Sequence, residues 1–191
     1  MTMTRSESEL ALIVAGVALV TGGVAWALWP SSAWASGIRG TATLMPGGRI
    51  SSPFGPRGSI IHQGVDISAP TGTPIYAPIA GRVVAAYPDG EVSGYGNVVT
   101  IRSGDIGLLF AHMSTMAVRT GETVVPGQLV GRVGSTNSEG GFHTSGPHLH
   151  FEVIVPPAGA NIDHALAHYS GTVPPRVDPQ AWSRANGVRL T

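Results

Sequence analysis

His148-Leu149-His150-Phe151-Glu152-Val153-Ile154-Val155 opens on alternating polar and apolar residues and closes in a β-branched run. A period of two belongs to a half-buried strand, so His148 and His150 share one face and Leu149 takes the other. Outward from this stretch, the chain from Ser36 onward repeats short β-branched segments between Gly, Pro and Thr punctuation. The pattern predicts strands over Pro74–Tyr76, Gly81–Tyr87, Asn97–Arg102, Gly107–His112, Gln128–Val133 and His148–Val155, with turns at Asp89-Gly90 and Gly94-Tyr95-Gly96. The expected fold class is mainly β, a small twisted antiparallel sheet or sandwich. Residues 36–45 read as a linker. Beyond Val155 the chain turns Pro-rich, and residues 158–191 read as a tail of packing or linker material with short helical turns around His164 and Trp182.

Composition narrows the possible chemistry. A chain of 191 residues, 42% apolar, suits one compact domain. Formal net charge is zero and the pI is about 7.1, so no basic footprint exists for nucleic acid. There is no cysteine, which removes disulfides, thiolate metal sites and cysteine nucleophiles, and leaves any metal to histidine and carboxylate. All eleven basic residues are arginine.

The amino-terminal segment carries a membrane signal. Leu10–Trp29 is a run of twenty residues without a charge, long enough to span a bilayer as a helix. Pro30 ends it, and Ala33-Trp34-Ala35 supplies a small-x-small pattern that predicts cleavage after Ala35. Residues 1–35 are therefore expected to be one hydrophobic helix serving as a signal peptide or, if uncleaved, as a membrane anchor through residues 10–29. Either role exports residues 36 onward to the periplasm or the cell exterior.

A second segment, His62-Gln63-Gly64-Val65-Asp66, sets an imidazole and a carboxylate four residues apart. Gly64, Val65, Ile67 and Pro70 disfavour a helix, so an extended segment with both side chains on one side is expected. If this segment neighbours His148-Leu149-His150, two histidines and an aspartate converge with further histidines beside them. That is a three-ligand zinc site with an open coordination position, which lowers the pKa of water and polarises a carbonyl. Hydrolysis also needs a base and a donor for the developing oxyanion; His112, at the end of Leu108-Leu109-Phe110-Ala111, is the partner for His148. Each pair alone is a weak signal, since a single histidine ending an apolar strand is more often structural. The combination carries the reading. His143 reads as a loop residue, and His164 and His168, four apart, lack a third ligand.

The segments His62 to Asp66, Phe110-Ala111-His112-Met113-Ser114 and Gly146-Pro147-His148-Leu149-His150-Phe151-Glu152 resemble the lysostaphin-like zinc metalloendopeptidases. The lead-in Arg49 to Arg57, the run Asp66 to Pro78, Gly94-Tyr95-Gly96-Asn97 and Gly127-Gln128 extend the resemblance over roughly residues 46 to 155. It implies a small β domain with a groove over residues 46–157, one Zn2+ ion, and cleavage of peptide stems or cross-bridges in peptidoglycan. Position by position, His62, Asp66 and His150 match the family's metal ligands, and His112 and His148 its catalytic histidines. Two departures stand out: Phe110 lies where tyrosine is frequent, and the loop Ser135 to Ser145 is longer than usual.

Two other classes compete. The echoing runs Ala77-Pro78-Ile79-Ala80-Gly81-Arg82-Val83 and Gly127-Gln128-Leu129-Val130-Gly131 are similar to biotinyl or lipoyl carrier domains, which modify a lysine; the chain has none. A non-catalytic module that binds the wall or activates another hydrolase leaves the complete histidine set to be explained in some other way.

Overall fold

The computed structural model describes residues 41–89, 91–92, 94–136, 146–158, 160–161, 163 and 175–191. The expected amino-terminal helix, the cleavage site after Ala35, and His143, His164 and His168 lie outside the described residues, as does most of the long loop. No helix among the described residues is long and apolar enough to cross a membrane.

The strands are β1 (Arg49–Ser52), β2 (Gly55–Arg57), β3 (Ile60–His62), β4 (Val65–Ser68), β5 (Pro74–Tyr76), β6 (Gly81–Tyr87), β7 (Asn97–Ser103), β8 (Ile106–Met116), β9 (Thr123–Val124), β10 (Leu129–Val133), β11 (His148–Ile154) and β12 (Arg176–Val177). The described residues form a mainly antiparallel sheet with the path β1-β4-β11-β8-β7-β6-β9; β5, β10 and β12 pair off this path, and β2 and β3 form a separate hairpin. The mainly β expectation holds, and β5 and β6 coincide with their predicted spans.

Alternation sorts the side chains onto two faces. Val65 and Ile67 of β4, Phe110 of β8 and Leu149, Phe151 and Val153 of β11 enter the main apolar core. Each fully buried side chain of this size contributes roughly 1.5–3 kcal/mol, so this face holds the sheet together. The opposite face of β11 carries His148, His150 and Glu152, and β4 sets Asp66 beside them. The Phe110 and Phe151 rings sit 5.3 Å apart on the core side, so the phenylalanine that replaces a frequent tyrosine points away from these polar groups.

The core also draws on both flanks of residues 46–157. Leu44 and Met45 are fully buried, and Trp182, Val188 and Leu190 join the same cluster. Leu44 N–H donates to Arg189 O at 2.8 Å and Met45 N–H to Leu190 O at 3.1 Å, tying the two flanks together. Helix α1 (Pro179–Ala185) forms where the predicted turn around Trp182 lay. Asp178 caps it by accepting from Gln180 N–H, Pro179 occupies the first turn, and Gly187 takes a positive φ just beyond its end.

One predicted local conformation is corrected. His62 to Asp66 is not a single extended segment: His62 ends the β2–β3 hairpin, Asp66 lies in β4, and Gln63-Gly64 turns the chain between them. Four residues of strand would separate the two Cα atoms by about 13 Å. The turn folds them back so that His62 Nε2 and Asp66 Oδ1 lie 3.0 Å apart.

Candidate metal centre

Strand pairing assembles the centre. β11 runs antiparallel to β4 with His150 opposite Asp66, and to β8 with His150 opposite Ala111. His62 arrives from the hairpin. Gly64 makes this approach possible, because a Cβ there would lie 2.5 Å from Phe151 O and 2.8 Å from the His150 ring.

His62 Nε2, Asp66 Oδ1 and His150 Nδ1 form a triangle with sides of 3.0, 3.1 and 2.9 Å. Outer hydrogen bonds set the tautomers. His62 Nδ1–H donates to Pro53 O at 2.7 Å, and a carbonyl can only accept, so a neutral His62 turns its Nε2 lone pair to the triangle. His150 Nε2–H donates to Glu152 Oε1 at 3.0 Å, which leaves Nδ1 as the inward nitrogen. Two imidazole lone pairs and a carboxylate thus converge. Tetrahedral bonds of roughly 2.0–2.1 Å set donor–donor edges of about 3.3 Å, close to those observed. The donor set fits one zinc ion, with an outer hydrogen bond orienting each histidine.

Charge around the triangle is strongly coupled. Burial alone would raise the Asp66 carboxyl, but hydrogen bonds with His150, His62 and Arg57 hold it well below the usual carboxylate range. Arg57 donates to Asp66 Oδ2 at 2.8 Å and also bonds Ser52. Burial opposes charge on His150, yet its bonds to Asp66 and Glu152 outweigh that and raise it to about 9. A proton and a metal therefore compete for the same Nδ1 lone pair.

The remaining two histidines flank the triangle. His112 and His148 have ring centroids 4.8 Å apart, and His112 lies 5.8 Å from His150. His148 Nδ1–H donates to Gly146 O at 2.9 Å and His112 Nδ1–H to Thr136 O at 2.8 Å. Each neutral ring keeps Nε2 available as an acceptor. Burial pushes His112 down to about 4, against a smaller opposing effect of its bond to Thr136, so it is a neutral base at neutral pH.

The position of His112 depends on a bulge that sequence alternation does not reveal. Strand β8 continues to Met116, beyond the predicted end at His112. Strict alternation after Phe110 would send His112 to the core and Met113 to the polar face. Instead His112 adopts φ +61° and pairing with β7 slips between Asn97 and Val99, while Met113 is the residue that enters the core. The bulge turns His112 to the side of His148. His112 N–H donates to Tyr95 O at 2.8 Å, and Asn97 Nδ2 and Thr136 Oγ1 both donate to Met113 O, which pins the kink.

All five residues singled out from sequence meet here. Glu152, Tyr95, Thr136 and Arg57 received no roles, although the alternation that pairs His148 with His150 also sets Glu152 on their face. A cavity of about 470 Å³ opens beside the triangle, lined by Ser51, Ser52, Arg57, Ser68 and Pro147 among others.

The fold and donor set define a β-sheet protein with a His/Asp/His cluster that could hold a metal ion. Residues 60–164 match peptidase family M23, and the chain belongs to that family. The DD-carboxypeptidase/endopeptidase Mpg of Neisseria meningitidis serogroup B is 40% identical over 114 residues, 56% of this chain and 24% of that protein. The murein hydrolase activator NlpD of Salmonella dublin is 39% identical over 93 residues, 48% of this chain and 22% of that protein. The matched region thus spans about a quarter of these relatives. In structure, the chain is similar to the antimicrobial peptidase lysostaphin from Staphylococcus simulans, with a TM-score of 0.56 and 26% identity over 72% of this chain and 50% of that one.

Proposed function

We propose that the chain is an exported zinc endopeptidase that hydrolyses peptide bonds in bacterial peptidoglycan stems or cross-bridges. One observation carries the reading: two inward lone pairs and a carboxylate converge, and two further histidines with fixed tautomers stand beside them. His62, Asp66 and His150 hold the ion. When bound, zinc polarises the substrate carbonyl and activates water for attack. His112, neutral at physiological pH, accepts the proton of the attacking water. His148, with Nδ1 tied to Gly146 O, directs Nε2 to the developing oxyanion or the leaving amine and acts as its donor when protonated. The substrate is a peptide of peptidoglycan lying in the cavity beside Arg57 and the serines, a partner suggested by the murein-directed names of relatives. Export follows from residues 1–35, as a cleaved signal or as an anchor through residues 10–29.

Similarity to NlpD supports a second reading, in which the domain activates another hydrolase without cutting. Digestion of purified peptidoglycan by the purified chain, with zinc and with a chelator, separates the two. Chelator-sensitive release of new peptide termini supports the peptidase, and its loss in His148→Ala ties it to this site. A zinc-loaded, folded chain that releases none across several wall chemistries overturns it in favour of the activator.

A further inference from the structure

Glu152 is fully buried on the polar face of β11 and has three charged or hydroxyl partners. Its Oε1 accepts from His150 Nε2–H at 3.0 Å and from the Tyr95 hydroxyl at 2.8 Å; its Oε2 accepts from Arg176 Nε–H at 2.8 Å. Arg176 belongs to β12, which pairs with the end of β11 through Val153 opposite Val177 and Ile154 opposite Arg176. Its side chain is only 5% exposed. Arg176 lies twelve residues beyond the end of the family match at 164, so this contact comes from outside the stretch that defines the family.

We propose that Arg176 is a positioning residue of the metal site, acting through Glu152 on the ring of His150. The inference rests on the reading of His62, Asp66 and His150 as zinc ligands. A fully buried carboxylate keeps its orientation only while both oxygens are occupied. The Arg176 bond fixes Oε2, which aims Oε1 at His150 Nε2–H, and that hydrogen bond fixes which nitrogen His150 turns to Asp66 and His62. An outer partner of this kind acts on a metal ligand by holding its tautomer and ring plane. With a metal on Nδ1 the ring is neutral, and Arg176 is then the cation in direct contact with Glu152. The segment around Arg176 is thereby part of the metal centre rather than a wrapping over the sheet.

The test is zinc affinity of the full chain by competition with a chromogenic chelator, together with the NMR signal of the His150 Nε2 proton in the zinc-loaded protein. Arg176→Met is expected to weaken zinc about 10–100-fold and to shift or broaden that proton signal. Arg176→Lys keeps a cation-bearing side chain at this position but replaces the rigid fork with a mobile point charge. It is expected to melt like the wild type without metal, yet to bind zinc about threefold or more weakly, with the same proton signal displaced. If Arg176→Met does not fold, the lysine variant decides alone. Wild-type affinity and an unmoved proton signal in a folded variant overturn the positioning role and leave the zinc reading intact. A wild-type chain that binds no zinc overturns both.

Discussion

The imidazoles of His112 and His148 face each other at 4.8 Å, although regular alternation along β8 would turn His112 to the opposite side of the sheet. The encounter is produced by one residue in a left-handed backbone conformation, at φ +61°. An L side chain held there costs about 1–2 kcal/mol, which the bonds to Tyr95 O and Thr136 O oppose.

Substitution at His112 should therefore reverse the usual order of strand stability. In a regular strand, glycine is less stable than alanine by about 0.5–1 kcal/mol. At position 112 the glycine variant is expected to be the more stable by about 1 kcal/mol, because glycine tolerates a positive φ. Paired denaturant titrations of His112→Gly and His112→Ala measure it; alanine equal to or above glycine contradicts a native bulge.

Ligands and flanking histidines should separate by metal content. His150→Ala is expected to lose zinc, whereas His112→Ala and His148→Ala keep one ion per chain and lose about 10²–10⁴-fold in turnover. Metal analysis beside the digestion assay reads both. Stoichiometric zinc in His150→Ala removes that residue from the ligand set.

Zinc uptake should release a proton. His150 raised to about 9 is protonated at pH 7 in the metal-free chain, and zinc must displace that proton. Apparent affinity is expected to fall about tenfold for each unit of acidification below pH 9 and to level off above it. His112, pushed down to about 4, stays neutral at pH 5–7, so protonation of this base is not expected to limit activity in that range. Calorimetry in buffers of different ionisation enthalpy counts the proton; release of none at pH 7 counts against the shared lone pair.

Gly64→Ala should injure the centre without touching a ligand. Its Cβ would overlap Phe151 O and the His150 ring, one of them backbone in the central strand. Loss of zinc affinity together with at least about 1–3 kcal/mol of stability is expected, as for other overpacked sites. Melting and chelator competition check it, and wild-type values for both exclude the close approach.

Much of this was legible from residue order. Period-two alternation set His148 and His150 together, and β-branched runs marked β5 and β6 to the residue. Strands β9 and β12 are two residues long, too short for periodicity to register. The β8 bulge was hidden because a backbone φ leaves no mark in a histidine. The fold-back at Gln63-Gly64 is not legible because a glycine signals that a helix is disfavoured without showing that it abuts a ring. Trp182, Val188 and Leu190 were invisible as core because a Pro-rich tail shows apolar residues without showing what they meet. Arg176 gave no signal, since its partner Glu152 is remote in sequence and draws its meaning from the sheet.

Thr43 bridges to Arg189, and His150 waits on Asp66 across 84 residues. Contacts so distant along the chain close late, because each must bring together ends that a loose polymer keeps apart. A nascent chain thus carries His62, His112, His148 and His150 singly, before the sheet brings them together. If the cluster is the zinc centre proposed above, its assembly waits on the last segments to dock, so an unfinished molecule carries no complete site.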